Sequence, residues 1–473
     1  KMNKISQRTR RDSSILRWSA LILVAVMMFF AYMFVDVLSP LQSLLEEQKG
    51  WTPEIYGTFV SSEYFLNVFA FFLLFAGIIL DKMGIRFTGI VSGLIMVLGA
   101  SIKWYAISPA FAEGQWLYDA LSSFASSFPA DAKLACVGFA IFGCGVEMAG
   151  ITVSKTIVKW FTGKEMALAM GIEMALARMG VFAVFRLSPK IAEWGTPDVV
   201  RPVAFCTLLL CIGLISFIIY AFIDKKLDRQ DELLMIHNNE AAVEEVPFKL
   251  SDIKELLTNK VYLIVAALCV LYYSAIFPFQ KYATNMLENN LGLETKDASD
   301  LFSWFPIGAM VLTPVLGYFL DKKGKGATML ILGSVLMFLC HLLFAIYPFQ
   351  VGDAMSLYAA YGGIILLGIS FSLVPAALWP AIPHLVEERY LGSAYSIVFL
   401  IQNLGLWILP IVIGYVLQTT NPADILLENN GIYNYTPSML VFASLGILAG
   451  ILGVWLKIED KKHNYGLEAP NIK

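Results

Sequence analysis

The chain has 473 residues, of which 58% are hydrophobic and only 15% charged, with a mean hydropathy of +0.68. Soluble domains carry closer to a quarter charged residues, so a water-soluble globule is excluded. The net charge of −3 argues against a nucleic-acid partner. Apolar stretches of about twenty residues recur along the whole length and predict membrane-spanning helices, because backbone polar groups in lipid must pair within their own segment. In chain order the expected spans cover 17–39, 57–80, 86–108, 133–154, 166–188, 202–223, 260–283, 300–320, 327–348, 355–379, 391–417 and 437–457. The first run is too long for a leader's apolar core and lacks a small-residue cleavage site, so it predicts a span. Pro278, Pro306, Pro314, Pro375, Pro380 and Pro410 lie inside these stretches and predict kinks, not breaks. The six cysteines all fall in apolar stretches, with no CxxC or Cys/His spacing that points to a metal.

Most of the 34 Lys and Arg fall in segments that share a face with the N-terminus, which predicts cytoplasmic termini. The expected organisation is a tail (1–16), a six-helix bundle (17–223), a polar loop (224–259), a second six-helix bundle (260–457) and a tail (458–473). Within the loop, "LSDIKELL" predicts a short surface helix with Ser251 as N-cap; the middle reads equally well as a plain tether.

The two halves repeat. "GIILDKMGIR" (Gly77 to Arg86) follows the second span and "GYFLDKKGKG" (Gly317 to Gly326) follows the eighth, and their acids, Asp81 and Asp321, stand 240 residues apart. The second glycine of each suits a tight turn, the first suits close helix packing, and the acid can meet a helix N-terminus or nearby basic groups. Two such decapeptides at equivalent places resemble the major facilitator superfamily. The resemblance implies an all-α membrane protein of twelve helices in two pseudo-symmetric bundles, with a substrate site near the midplane between them. It also makes Asp81, Arg86 and Asp321 parts of a latch on the inner face.

Charges at bilayer depth are costly and tend to face a partner or a wet cavity. Asp36, Glu63 and Arg186 lie towards outer ends, where water is expected near, and Lys103 is expected to snorkel outwards. Glu147 and Arg178 differ. Counted from a turn at Gly163, they lie 16 residues before it and 15 after, so antiparallel helices bring them to one depth, close to mid-membrane. Arg178 is therefore the natural neutraliser of Glu147. Glu173, shallower, is placed to pair with Lys155 as a structural or gating contact. A buried ion pair is weak evidence for stability, because desolvation offsets much of its attraction. Retention makes more sense if the two charges exchange each other for a ligand with an ammonium and a carboxylate, the arginine fork taking the carboxylate. A purely structural pair is the alternative.

In the second half, a hairpin turning near Tyr390 brings Trp379 and Gln402 to similar depths, and Tyr272 and Tyr273 lie near the middle of the seventh span, below Pro278. Such residues can line a pocket that packs variable side chains, or simply pack helices. His341 and His384 stand alone and carry no proton-coupling expectation.

"FGCGVEMAG", "WFTGKEMALAMGIEMALARMG", "CVLYYSAIFPF", "ALWP" and "LGSAYSIVFLIQNLGL" together resemble the lysosomal dipeptide uniporter branch of the superfamily, that of major facilitator superfamily domain-containing protein one. The resemblance implies dipeptide substrates, alternating access and uniport. It also implies peptide-terminus binding by Glu147 and Arg178, with Trp379 lining the same cavity. The chain departs from that branch in its short outer loops, in having Asn434 of "NYTP" as its one sequon, and in showing no clear acidic di-leucine signal. These departures favour a prokaryotic plasma (inner) membrane over a lysosomal one. The expected partners are a small zwitterionic solute and the lipid bilayer, with a monomeric carrier; no cofactor, metal or catalytic residue is expected, and an accessory subunit is left open. A carrier of another solute, such as an organic anion or amino acid, with or without proton coupling, is the first alternative. A non-transporting receptor or scaffold is the second.

Overall fold

A computed structural model of the chain describes residues 12–113, 116–161, 165–238, 250–387 and 391–470. Eleven helical stretches among the described residues are long and apolar enough to cross a membrane. One of them, Phe72–Ile107, is two helices meeting at Gly84, whose φ of 80° and ψ of 172° break the helical path. Its first part, 72–83, continues the broken run Pro53–Ser61, Ser62–Tyr64 and Phe65–Phe69. The second crossing (α2) is thus a chain of helical pieces from 53 to 83, interrupted at Phe71, which adopts a left-handed φ of 51°. The third (α3) is 85–107.

The other crossings are α1 (Ser14–Val35), α4 (Ala130–Phe161), α5 (Met166–Ala192) and α6 (Val200–Asn238) in the first half. The second half holds α7 (Lys260–Leu291), α8 (Thr295–Phe302 with Trp304–Lys323), α9 (Gly326–Ile346), α10 (Ala354–Leu385), α11 (Leu391–Thr420) and α12 (Thr436–His463). Twelve crossings in a six-plus-six order follow. Pro278, Pro314, Pro375, Pro380 and Pro410 are accommodated inside continuous helices, as expected of spans whose neighbours hold them, and Pro306 sits in the first turn of its helix. The helix expected in the linker runs Leu250–Thr258; the capping expected of Ser251 lies outside what is described. The hairpin turns expected at Gly163 and Tyr390, and the middle of the linker, lie outside the described residues.

Small residues set the spacing within the first half. A Cβ on Gly99 would meet the backbone of α4 at Phe142 N, 2.4 Å away, and one on Gly143 would lie 1.8 Å from the carbonyl oxygen of Glu63. Helices 3 and 4, and helices 2 and 4, therefore touch backbone to backbone.

The repeated decapeptides form matching turns. Gly84 has φ 80° and Gly324 has φ 72°, the left-handed region that favours glycine. Around the first, Asp81 pairs with Lys155 at 2.9 Å, Arg86 holds Asp224 at 3.1 Å and also Asp228, and Lys159 holds Asp224 at 2.8 Å and also Asp228. Around the second, the chain beyond α12 does the fastening. Lys325 and Gly326 donate their N–H groups to the carbonyls of Glu468 and Leu467 at 3.0 Å, and the Glu468 carboxylate accepts from Thr328 N at 2.7 Å near the N-terminus of α9. Both clusters lie on the face that carries the termini and the linker, called here the linker face.

On the opposite, far face the halves close on each other. Lys281 of α7 meets Asp36 at 2.8 Å, Gln280 donates to the same carboxylate at 2.7 Å, and Tyr56 donates to the Lys281 carbonyl at 2.7 Å. Arg186 of α5 meets Asp300 at 3.4 Å and Ser303 at 2.9 Å. Gly57 of α2 and Gly414 of α11 cross so closely that a Cβ on Gly57 would stand 2.3 Å from the Pro410 carbonyl oxygen. Further contacts between the halves lie at this far-face level, among them Ser43 with Glu288 and Asn285, Ser299 with the Phe185 carbonyl, and Tyr433 with Glu46.

Candidate functional site

Between the far-face closure and the linker face, side chains from both halves meet at one level. In the first half, α4 supplies Glu147, α5 supplies Glu173 and Arg178, and α1 supplies Tyr32; all four are half-buried. Tyr32 lies within electrostatic range of Arg178, Glu173, Glu147 and Glu63. Glu147 and Arg178, which the depth argument from sequence set level, thus share one neighbourhood.

It does not bring Glu147 and Arg178 into contact. No ion pair within 4.0 Å joins them, and among the described residues Glu147 and Glu173 have none either. The Arg178 guanidinium instead crosses to the second half and lies 4.7 Å over the ring of Phe371 and 5.4 Å from that of Phe277. An aromatic face satisfies a guanidinium electrostatically while leaving its five N–H donors free for an acceptor. The expected neutralisation of Glu147 by Arg178 is therefore corrected for this conformation. The expected Lys155–Glu173 pair is corrected as well, because Lys155 is drawn to Asp81 of the linker-face turn.

The second half presents an aromatic wall. Tyr273 stacks on Phe277 at 5.6 Å and stands edge-on to Phe371 at 6.2 Å and to Trp379 at 6.1 Å. The Trp379 indole donates to the Tyr273 hydroxyl at 3.0 Å, and its ring stacks on Phe399 at 4.9 Å. Tyr395 closes the group by donating to the Trp379 carbonyl at 3.2 Å. Two residues expected here stand elsewhere. Tyr272, one residue from Tyr273, points the other way along the helix, is fully buried and donates to the carbonyl of Leu330 in α9. Gln402 is buried at the α7–α11 contact, accepting from the Cys269 thiol at 3.6 Å. Adjacent positions on a helix point about 100° apart, and here that turns Tyr272 towards α9 and Tyr273 towards the aromatic wall. Phe277, Phe371, Tyr395, Phe399 and Tyr32 were not singled out in the sequence; the spacing of four between Tyr273 and Phe277 along α7, and the aromatic character of the others, are also what ordinary core packing gives.

The remaining intramembrane charges also move from their expected places. Lys103 does not snorkel: it is fully buried, its Nζ 4.4, 5.1 and 4.2 Å from the ring centres of Phe34, Phe59 and Phe139. Asp36 and Glu63 are 1% and 4% exposed and away from water. His341 is buried with its Nε2 3.0 Å from the Ala275 carbonyl.

Two six-helix halves that close on each other at one end are the arrangement of many carriers. The sequence profile of the Major Facilitator Superfamily matches residues 24–286 and 282–470. The chain belongs to the major facilitator superfamily. Among relatives in this superfamily, the lysosomal dipeptide transporter MFSD1 of Danio rerio is 28% identical over 409 residues, covering 84% of this chain and 80% of the relative. The protein of the same name from Homo sapiens is 25% identical over 354 residues, covering 73% and 68%. The nucleoside transporter NupG superposes with a TM-score of 0.69 at 14% identity, over 93% of this chain and 99% of that one. A bacterial homologue of the human lysosomal transporter Spinster, in an inward-facing and occupied conformation, superposes with a TM-score of 0.67 at 13% identity over 95% and 98%. Superfamily members are transporters, not enzymes, and this chain is a multi-pass membrane carrier of a small solute.

Proposed function

We propose that this carrier moves small zwitterionic peptides, dipeptides above all, by alternating access. The observation that carries the reading is the state of Arg178. Its fork lies against Phe371 and Phe277 of the opposite half, and among the described residues neither it nor Glu147 on the neighbouring helix has an ion pair within 4.0 Å. A peptide fits both needs at once: its carboxylate takes the arginine donors and its ammonium takes Glu147. The body then rests on the wall of Tyr273, Trp379 and Phe399. The MFSD1 relatives support the choice of dipeptides.

In this reading Tyr272 and Gln402 support the wall from behind. With the termini cytoplasmic, the closed far face is the outer gate of this cycle. Opening the other way requires the Asp36–Lys281 and Arg186–Asp300 contacts to part and the turns around Asp81, Arg86 and Asp321 to close against the other half. A single chain performs uniport in the plasma membrane. The test is uptake of a labelled dipeptide into liposomes containing this protein alone, with and without a pH gradient. Uptake that dipeptides inhibit and simple anions do not supports the reading. Uptake of an unrelated solute with indifference to dipeptides sinks it.

A further inference from the structure

Helices α9 and α12 run antiparallel and close together. A Cβ on Gly446 would stand 2.9 Å from Phe338, one on Gly450 3.3 Å from the Ser334 hydroxyl, and one on Gly453 3.1 Å from Ile331. The three pairs step in register, so the axes stay close over about two turns. Outside this seam lies a groove of about 470 Å³ lined by Ile331, Val335, Phe338, Ile447, Ile451 and Val454. Val335, Ile447, Ile451 and Val454 are exposed, and all lie within spans. With other faces α9 packs on α10, and α12 packs on α7 and α11. That leaves the groove to the bilayer.

At its linker-face end the groove meets charge. Lys457 and Lys461 lie seven and eleven residues beyond Gly450, about two and three turns further along the same face of α12. The chain then walls the place off. Asn464 turns with a φ of 53°, and Leu467 and Glu468 return to the turn between α8 and α9. A second hollow of about 410 Å³ results, and its charged lining is Lys325, Lys457, Lys461, Asp460 and Glu468. Lys457 donates to the Thr328 hydroxyl at 2.8 Å, and the Glu468 carboxylate stands 3.9 Å from both Lys325 and Lys457. Asp460 accepts the Leu467 N–H at 3.1 Å. Three lysines against two carboxylates leave one positive charge in this pocket.

We propose that the α9–α12 seam binds one anionic phospholipid of the linker-face leaflet, an acyl chain in the apolar groove and the headgroup among Lys325, Lys457 and Lys461. The single negative charge of the phosphodiester brings the pocket to neutrality. A zwitterionic lipid fills the groove equally well but adds no net charge, so it is held less tightly. The site needs only the membrane setting. The identity of the solute does not enter, so failure of the dipeptide reading leaves this test untouched.

The test is native mass spectrometry of the full chain in neutral detergent, titrated with phosphatidylglycerol or with phosphatidylcholine of the same chains. The first adduct should form about fivefold more tightly with phosphatidylglycerol, the effect of one basic charge at a membrane surface. Lys461→Gln, at an exposed position, removes that charge and should bring the ratio close to one, whereas Lys461→Arg keeps it. Gly450→Leu fills the groove and should weaken the first adduct of both lipids; the exposed Lys461 variants carry the test if it fails to fold. Lys225→Gln with Lys226→Gln, exposed on α6, should leave the ratio unchanged. Glycerol phosphate, the same anion without chains, should not displace the lipid. Equal binding of the two lipids by the wild type overturns the proposal. So does a preference that survives Lys461→Gln or is lost in the α6 variant, an unaltered first adduct in folded Gly450→Leu, or displacement by glycerol phosphate.

Discussion

The interface between the two halves has two levels that treat charge in opposite ways. At the far face, Asp36 and Lys281 are 1% and 3% exposed and are satisfied by each other and by Gln280 and Ser39. Some eight residues deeper, about 12 Å along a helix, Arg178 leans on two phenyl rings, and among the described residues Glu147 and Glu173 have no ion pair within 4.0 Å. Both levels join the two halves: Asp36 meets Lys281 at the far face, and Arg178 meets Phe277 and Phe371 deeper in. Paired charges hold one end of the cleft shut. Unpaired ones in the middle keep a deficit that a bound solute can fill.

If that contrast is right, the two levels respond differently to neutralisation. Lys281→Met strands the Asp36 carboxylate, a loss of roughly 3–5 kcal/mol for a buried pair broken from one side. The separation of spin labels placed on the far face of each half should lengthen and thermal stability should fall, with Asp36→Asn added to Lys281→Met recovering much of the stability. An unchanged melting transition in Lys281→Met breaks the contrast at its paired level. Gly57→Val acts on the same level without touching charge. Its added carbons meet the Pro410 carbonyl and Gly414, so the closed far face should lose about 1–3 kcal/mol, read as a shift towards far-face-open separations. Trp379→Phe keeps the stacking on Phe399 and removes the hydrogen bond to Tyr273. Dipeptide affinity should weaken by about 0.5–1.5 kcal/mol in a binding titration. Smallest of all is the expected effect of Glu147→Gln on folding. The carboxylate it removes has no ion-pair partner, so the melting transition should stay in place or rise slightly while transport is lost.

The contrast also marks what could be read from the chain alone. Span number, the six-plus-six order and the turns at Gly84 and Gly324 were legible, because hydrophobic length and left-handed glycines are local properties. The common depth of Glu147 and Arg178 was legible too, since helical rise is uniform. Which way each side chain turns was not. Lys155 chose Asp81 over Glu173, and Arg178 chose the rings of another half over the acid on its neighbour. Those choices depend on rotation of helices about their axes and on contacts far apart in sequence. The same limit hid Lys103, whose cage draws Phe34, Phe59 and Phe139 from three separate helices. Tyr272 and Tyr273 were indistinguishable in the sequence and became opposite in role only when the helix was placed.

The central claim is that Glu147 takes the ammonium and Arg178 the carboxylate of one solute. Binding of a dipeptide, its N-acetylated form and its C-terminal amide to the wild type, Glu147→Gln and Arg178→Met tests it most directly. The account predicts that each blocked peptide binds the wild type at least about 30-fold more weakly, the cost of about 2 kcal/mol or more for an unpaired buried charge. It also predicts that acetylation costs nothing further in Glu147→Gln and amidation nothing further in Arg178→Met. Equal affinity of the wild type for free and blocked peptides, or normal dipeptide transport by Glu147→Gln, would contradict it.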